Sequence, residues 1–237
     1  MDGETYMRVF EKTMVRNCAP TIAGIKPANL FLCQEKLCGG AGCIAESETG
    51  SGRDAAEECC PSPSGDVEGS SPHERHCKLI GHALRECRSR FEPMGLNVEP
   101  FAKRRNGTLV YVYRPDRLRA ILDDARCAEF LCSQGYEPES MKGCLRTLRY
   151  RMRKKNINGS DDGTCNFPHE IGVFLGYPID DVIGFVENKG ANYIVSGYWK
   201  VYSNPEEAIE RFDSYKACKK QLVYRYEVGE SLEDLIA

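Results

Sequence analysis

No stretch of this sequence approaches the roughly 18 uninterrupted apolar residues of a membrane span, and Met1-Asp2-Gly3-Glu4-Thr5 lacks the basic start and apolar run of a signal peptide. Strong charge of either sign is missing as well. The 32 basic side chains against 35 acidic ones leave a net charge of −3, which supplies no global field for nucleic acid or an anionic membrane. There is no internal repeat, and Gly172, Gly176, Gly184, Gly190 and Gly197 form neither GxGxxG nor a Walker loop, which argues against the common nucleotide-binding routes. No CxxC pair occurs, so the usual knuckle of a structural zinc site is absent. These absences point to a cytoplasmic protein with no membrane partner and no expected nucleic-acid partner.

What is present is an ordinary globular composition, 41% hydrophobic and 28% charged, with apolar material enough for a substantial core. The 13 cysteines are an odd number scattered along the chain, unlike the even framework of a small secreted domain. Reduced thiols are expected, with Cys87, Cys127, Cys132 and Cys218 acting as small apolar side chains on helices.

Met7, Phe10 and Met14 share one face of a helix predicted over Glu4 to Arg16, followed by proline turns at Asn17-Cys18-Ala19-Pro20 and Gly24-Ile25-Lys26-Pro27. Ala28 to Leu32 reads as a buried strand. From about Gln34 to His76 the glycine, serine and proline clusters interrupt any period, which predicts a disordered insertion. Helical periodicity resumes at Cys77 and runs to about Phe91. Two strands follow, Leu96 to Phe101 and Thr108 to Tyr113, joined by a type I′ turn expected at Asn106-Gly107. Proline-opened helices begin at Pro115 and Pro138, the latter with Met141, Leu145, Leu148 and Met152 as its apolar stripe. Short helices surround Gly176, one burying Ile179, Val182, Ile183 and Val186. A strand over Tyr193 to Tyr202 and a long helix capped at Asn204 complete the chain. The expected fold is a single α+β domain over 1–237: a small mainly antiparallel sheet of the Ala28, Leu96, Thr108 and Tyr193 strands, covered by helices, with the 34–76 insertion inside it.

Four segments carry a resemblance. Cys18 to Phe31 (CAPTIAGIKPANLF), Val110 to Pro115 (VYVYRP), Phe167 to Pro178 (FPHEIGVFLGYP) and Gly197 to Tyr202 (GYWKVY) occur in an order similar to domain-of-unknown-function family thirty-seven ninety-three, uncharacterised proteins of anaerobic bacteria. The resemblance implies no established activity. It implies an association with iron or redox metabolism, and the 34–76 segment is longer than the family pattern.

The chemistry-bearing candidates fall into three sets. Cys18, His169 and Glu170 are the residue types of a thiolate nucleophile, its base and an orienting carboxylate; the alternative is a packed cysteine and a histidine at a helix start. Cys33, Cys38 and Cys43, with His73, His76 and Cys77, offer metal-ligand types at loose spacing, against a thiol-rich linker as the alternative. Lys142, Arg146, Arg149, Arg151, Arg153, Lys154 and Lys155 form a basic run, either a phosphate-binding face or a solvated one. Tyr193, Tyr198, Trp199 and Tyr202 could line a ligand pocket or a core. The favoured function is a binding or accessory protein with a small-molecule or redox partner and an unassigned cofactor. A cysteine-dependent hydrolase or transferase using Cys18 and His169 and a basic-helix phosphate or nucleic-acid binder are the alternatives.

Overall fold

The computed structural model describes residues 2–34, 72–104, 106–153 and 167–237. Helix α1 (Gly3–Ile22) begins where the Asp2 carboxylate accepts the Thr5 N–H at 2.8 Å. Its apolar stripe of Tyr6, Phe10, Met14, Cys18 and Ile22 is buried throughout. The helix therefore does not stop at Arg16 as predicted but carries Cys18, Ala19 and Pro20 within it. Pro20 removes one backbone hydrogen bond, and the continued burial of Cys18, Ala19 and Ile22 outweighs that loss.

Strand β1 (Ala28–Gln34) pairs antiparallel with β3 (Gly107–Tyr113), which pairs antiparallel with β2 (Asn97–Arg104), giving the order β1-β3-β2. Alternation along β3 sends Val110 and Val112 to one face and Tyr111 and Tyr113 to the other. Both faces are covered, so the central strand reads as a nearly continuous apolar run. The first face packs on α1, on α2 (Pro72–Phe91) and on the short terminal helix α9 (Leu232–Ile236). The second packs on α3 (Pro115–Asp123), α4 (Ala125–Ser133), α5 (Met141–Arg153) and the single turn α6 (Ile171–Phe174). On the edge strand β2 a bulge between Pro100 and Ala102 sits beside the residue that cannot donate to the ladder.

The fold is thus α+β, a small antiparallel sheet covered by helices, with three further local departures from expectation besides the length of α1. Helix α2 starts at Pro72 rather than Cys77, so His76 and Cys77 are helical, and residues 35–71 of the expected insertion lie outside the described residues. Gly107 does not sit in the predicted turn but opens β3 at φ 152, where a Cβ would come 2.1 Å from the Cys33 carbonyl oxygen. The Tyr193 to Tyr202 strand does not join the sheet. It forms a hairpin of two-residue rungs, β4 (Val195–Ser196) and β5 (Lys200–Val201), turned around Gly197, whose Cα abuts the Phe212 ring so closely that a Cβ would lie 2.2 Å away. With helices α7 (Ile179–Glu187) and α8 (Pro205–Glu227), this hairpin builds a satellite aromatic core of Trp199, Phe212 and Tyr215.

Two arginines fasten the helices. Arg114 donates to the Thr21, Ile22 and Ile236 carbonyls at 3.0, 2.5 and 2.9 Å, satisfying the end of α1 and of α9 together. Arg90 on α2 holds Glu11 of α1 and, bidentately, Glu233 of α9 at 2.6–2.9 Å. Among the described residues no helix is long and apolar enough to cross a membrane.

Candidate functional site

The segment from Phe167 to Pro178 reverses twice in very little space. Gly172 in α6 meets α7 so closely that a Cβ would lie 2.8 Å from Val182 Cγ2, and Gly176, at φ +73, faces Pro27 with room for no side chain. A Cβ on Gly176 would sit 2.2 Å from Pro27 Cγ. Gly176→Ala is therefore expected to cost about 2 kcal/mol or more, from strain and from parting Tyr177 from the Lys26-Pro27 turn. An unchanged urea midpoint would show that this junction is loose.

These reversals leave a cavity of about 470 Å³ between the Phe167 segment, α7 and the β4–β5 hairpin. Its walls include Phe167, His169, Tyr177, Phe185, Trp199 and Lys200. The exposed His169 ring lies 5.0 Å from Phe185 and 6.2 Å from Phe167. Tyr177 stacks on Trp199 at 5.0 Å, and Trp199 meets Phe212 edge-on at 4.5 Å.

Asp181, in the first turn of α7, fixes the hairpin. It is 2% exposed and accepts from the Trp199 indole N–H at 2.7 Å, from the Tyr202 and Ser203 N–H groups at 2.8 and 3.0 Å, and from the Ser203 hydroxyl at 2.9 Å. The carboxylate's acceptor sites are thereby taken up by its own scaffold. Lys200 differs: its ammonium donates to the Gly190 carbonyl at 2.6 Å and lies over the Tyr193 and Phe185 rings at 4.8 and 5.7 Å. Two of its three donors remain.

Behind Tyr177 lies a second lysine. Lys26 is only 2% exposed, with its ammonium 5.0 Å from the Tyr177 ring centre and 5.9 Å from that of Tyr215. Among the described residues no carboxylate pairs with it, and burial pulls its pKa down to about 8. Burial likewise pushes the Tyr177 phenol up to about 12.

The sequence candidates are placed as follows. Cys18 is in the interior of α1, fully buried, and burial pushes its thiol well above the ordinary range, with Lys26 as its nearest charge. His169 is exposed at the cavity, and no hydrogen bond among the described residues joins it to Cys18. Glu170 turns away from the cavity, accepting from Tyr136 at 2.9 Å and Arg151 at 2.5 Å. Cys33 shares a hydrogen bond with the Tyr6 hydroxyl at 3.4 Å, His76 lies edge-on to the same ring at 6.3 Å, and Cys77 accepts from Lys103 at 3.5 Å. Cys38, Cys43 and the His73 side chain lie outside the described residues, among which no group of three candidate ligands gathers. In the basic run, Arg149 pairs with Glu99, Arg151 with Glu170, and Arg153 donates to the Phe101 carbonyl, while Lys142 and Arg146 are exposed. Lys154 and Lys155 lie outside the described residues.

Of the aromatic stretch, Trp199 lines the cavity, whereas Tyr198 packs on Phe212 and Tyr215. Lys26, Asp181, Phe185 and Lys200 were not foreseen. Lys26 stands between Ile25 and Pro27-Ala28 in an otherwise apolar turn, which was its one sequence signal. Asp181 gave none, since an acidic pair at a helix start reads as capping charge; Val186, expected on the buried face of α7, is 38% exposed instead.

No curated protein and no solved structure matches the chain. A family model described as protein of unknown function (DUF3793) matches residues 14–236, nearly the whole length, and the chain belongs to that family.

Proposed function

We propose that this protein binds a small organic molecule in the cavity between the Phe167 segment, α7 and the β4–β5 hairpin, and acts as a binding or accessory protein. The observation that carries this is the cavity itself: about 470 Å³, walled by Phe167, His169, Tyr177, Phe185 and Trp199, with few polar groups converging on it. That size and lining belong to the range of small-molecule sites. The site joins the Phe167–Pro178 and Gly197–Tyr202 segments, the last two of the four motif segments along the chain. An iron or redox association rests on the family resemblance. One imidazole beside an ammonium is a donor set for an organic ligand rather than for iron.

The test is a titration with N-phenyl-1-naphthylamine, a neutral ring compound that fluoresces in apolar sites. Wild type is expected to bind it saturably at one site, and Ser196→Trp, which places an indole at the exposed edge of the cavity, to lose it. Absence of saturable binding, or full binding by Ser196→Trp, overturns the proposal.

A cysteine nucleophile is a weaker reading because a thiol that is buried and hard to ionise is inert. Mass-spectrometric mapping of iodoacetamide labelling is expected to find the exposed Cys132 modified in the native protein and Cys18 modified only on unfolding. Native labelling of Cys18 would restore the nucleophile.

A further inference from the structure

The charge around the cavity is unequal. Asp181 is the carboxylate in its lining, and its four hydrogen bonds to Trp199, Tyr202 and Ser203 commit it to the scaffold. Lys200 commits one donor, to the Gly190 carbonyl, and is half-buried against Tyr193 and Phe185. A second ammonium, Lys26, lies on the far side of the wall that Tyr177 and Trp199 form, 5.0 Å from the Tyr177 ring centre. The ring-lined space is thus flanked by two cations whose positive charge no carboxylate among the described residues pairs. The Lys200 ammonium already lies over the Phe185 ring, a cavity wall that a cationic ligand would need. A cation would meet like charge here, whereas an anion beside ring surface would find both a hydrogen-bond donor and apolar contact.

We infer that the ligand is an aromatic anion, its rings against Tyr177, Trp199 and Phe185 and its carboxylate, sulfonate or phosphate group on the Lys200 ammonium. This rests on the proposed small-molecule function and adds the ligand's class and Lys200 as its anchor. The specificity is a difference between an anion and its neutral counterpart, because rings alone do not distinguish them.

A matched pair of probes separates the two claims. 8-Anilinonaphthalene-1-sulfonate carries the same rings as N-phenyl-1-naphthylamine with one added sulfonate. Wild type is expected to bind the sulfonate about tenfold tighter than the neutral probe, the size of a charge-assisted hydrogen bond. Lys200→Met removes that margin and leaves the neutral probe's affinity within about twofold. Lys200→Gln, which keeps a donor for Gly190, behaves likewise and answers for any unfolding of the first variant. Lys219→Met, on exposed α8 surface, keeps the margin and controls for net charge. Equal affinity for the two probes on wild type, or a margin that survives both Lys200 variants, overturns the inference while the pocket stands. Parallel loss of both probes in Lys200→Met and Lys200→Gln shows that Lys200 props the cavity and also overturns it. Failure of wild type to bind either probe removes the pocket function itself.

Discussion

Lys26→Met is expected to raise the unfolding free energy at pH 7 by about 3 kcal/mol, an unusual sign for a substitution of a buried residue. The ammonium is buried between Tyr177 and Tyr215 with no carboxylate paired to it among the described residues, and burial lowers its pKa from the ordinary 10.5 to about 8. The native state disfavours the proton that the unfolded chain still binds. The penalty is therefore complete below pH 8 and disappears as pH rises from about 8 to 10.5, where the unfolded lysine also loses its charge. Stability of the wild type relative to Lys26→Met should climb across that window, and comparison with the variant cancels the titration of the tyrosines and cysteines. The two tyrosine faces offset part of the burial cost, which is why the lysine is tolerated. Urea unfolding of both proteins at several pH values from 7 to 10.5 checks this. A stability difference that stays flat with pH would mean that Lys26 keeps its proton in the fold.

Asp181→Ala should act in the opposite direction and at least as strongly. Removing the carboxylate leaves the Trp199 indole N–H and the Tyr202 and Ser203 N–H groups without their acceptor beneath the hairpin. Each such group costs about 1–3 kcal/mol, so a loss of about 3 kcal/mol or more is expected. Asp181→Asn is more selective. Its amide oxygen still serves Tyr202 and Ser203, while its NH₂ opposes the indole N–H. Trp199 is the sole tryptophan of the chain, so intrinsic fluorescence reports on this contact directly. A red-shifted emission is expected in both variants, with weakened probe binding because the Trp199 wall is no longer held against Tyr177. Unchanged emission and stability in Asp181→Ala would show that packing against Phe212, rather than the carboxylate, holds the hairpin.

These two residues mark where local pattern stops being informative. The helices and the β1-β3-β2 strands were legible because period and punctuation agree there: the stripe on α5 and the paired Leu96 and Thr108 strands bury the residues that alternation assigns. The misplaced α1 terminus has a definite cause. Pro20 looks like a stop, yet whether a helix ends at a proline depends on what lies beyond it, and the burial of Cys18, Ala19 and Ile22 is a tertiary fact. The hairpin was misread for a related reason. Aromatic and β-branched composition signals burial on a pleated surface, but it does not say whether the surface is the main sheet or a separate aromatic core.

The site shows the same division. Local pattern was enough for the strands, most of the helices and the motif segments that point to the family, because these follow from neighbours a few residues apart. That Cys18 is core, that Glu170 answers to Tyr136 and Arg151, and that Asp181 and Lys200 line one aromatic cavity with Lys26 behind its Tyr177 wall is visible only in the folded chain. The physical reason is that burial, ion pairing and the loss or retention of a lysine's proton depend on groups brought together across the fold. No spacing along the chain encodes which of those groups meet.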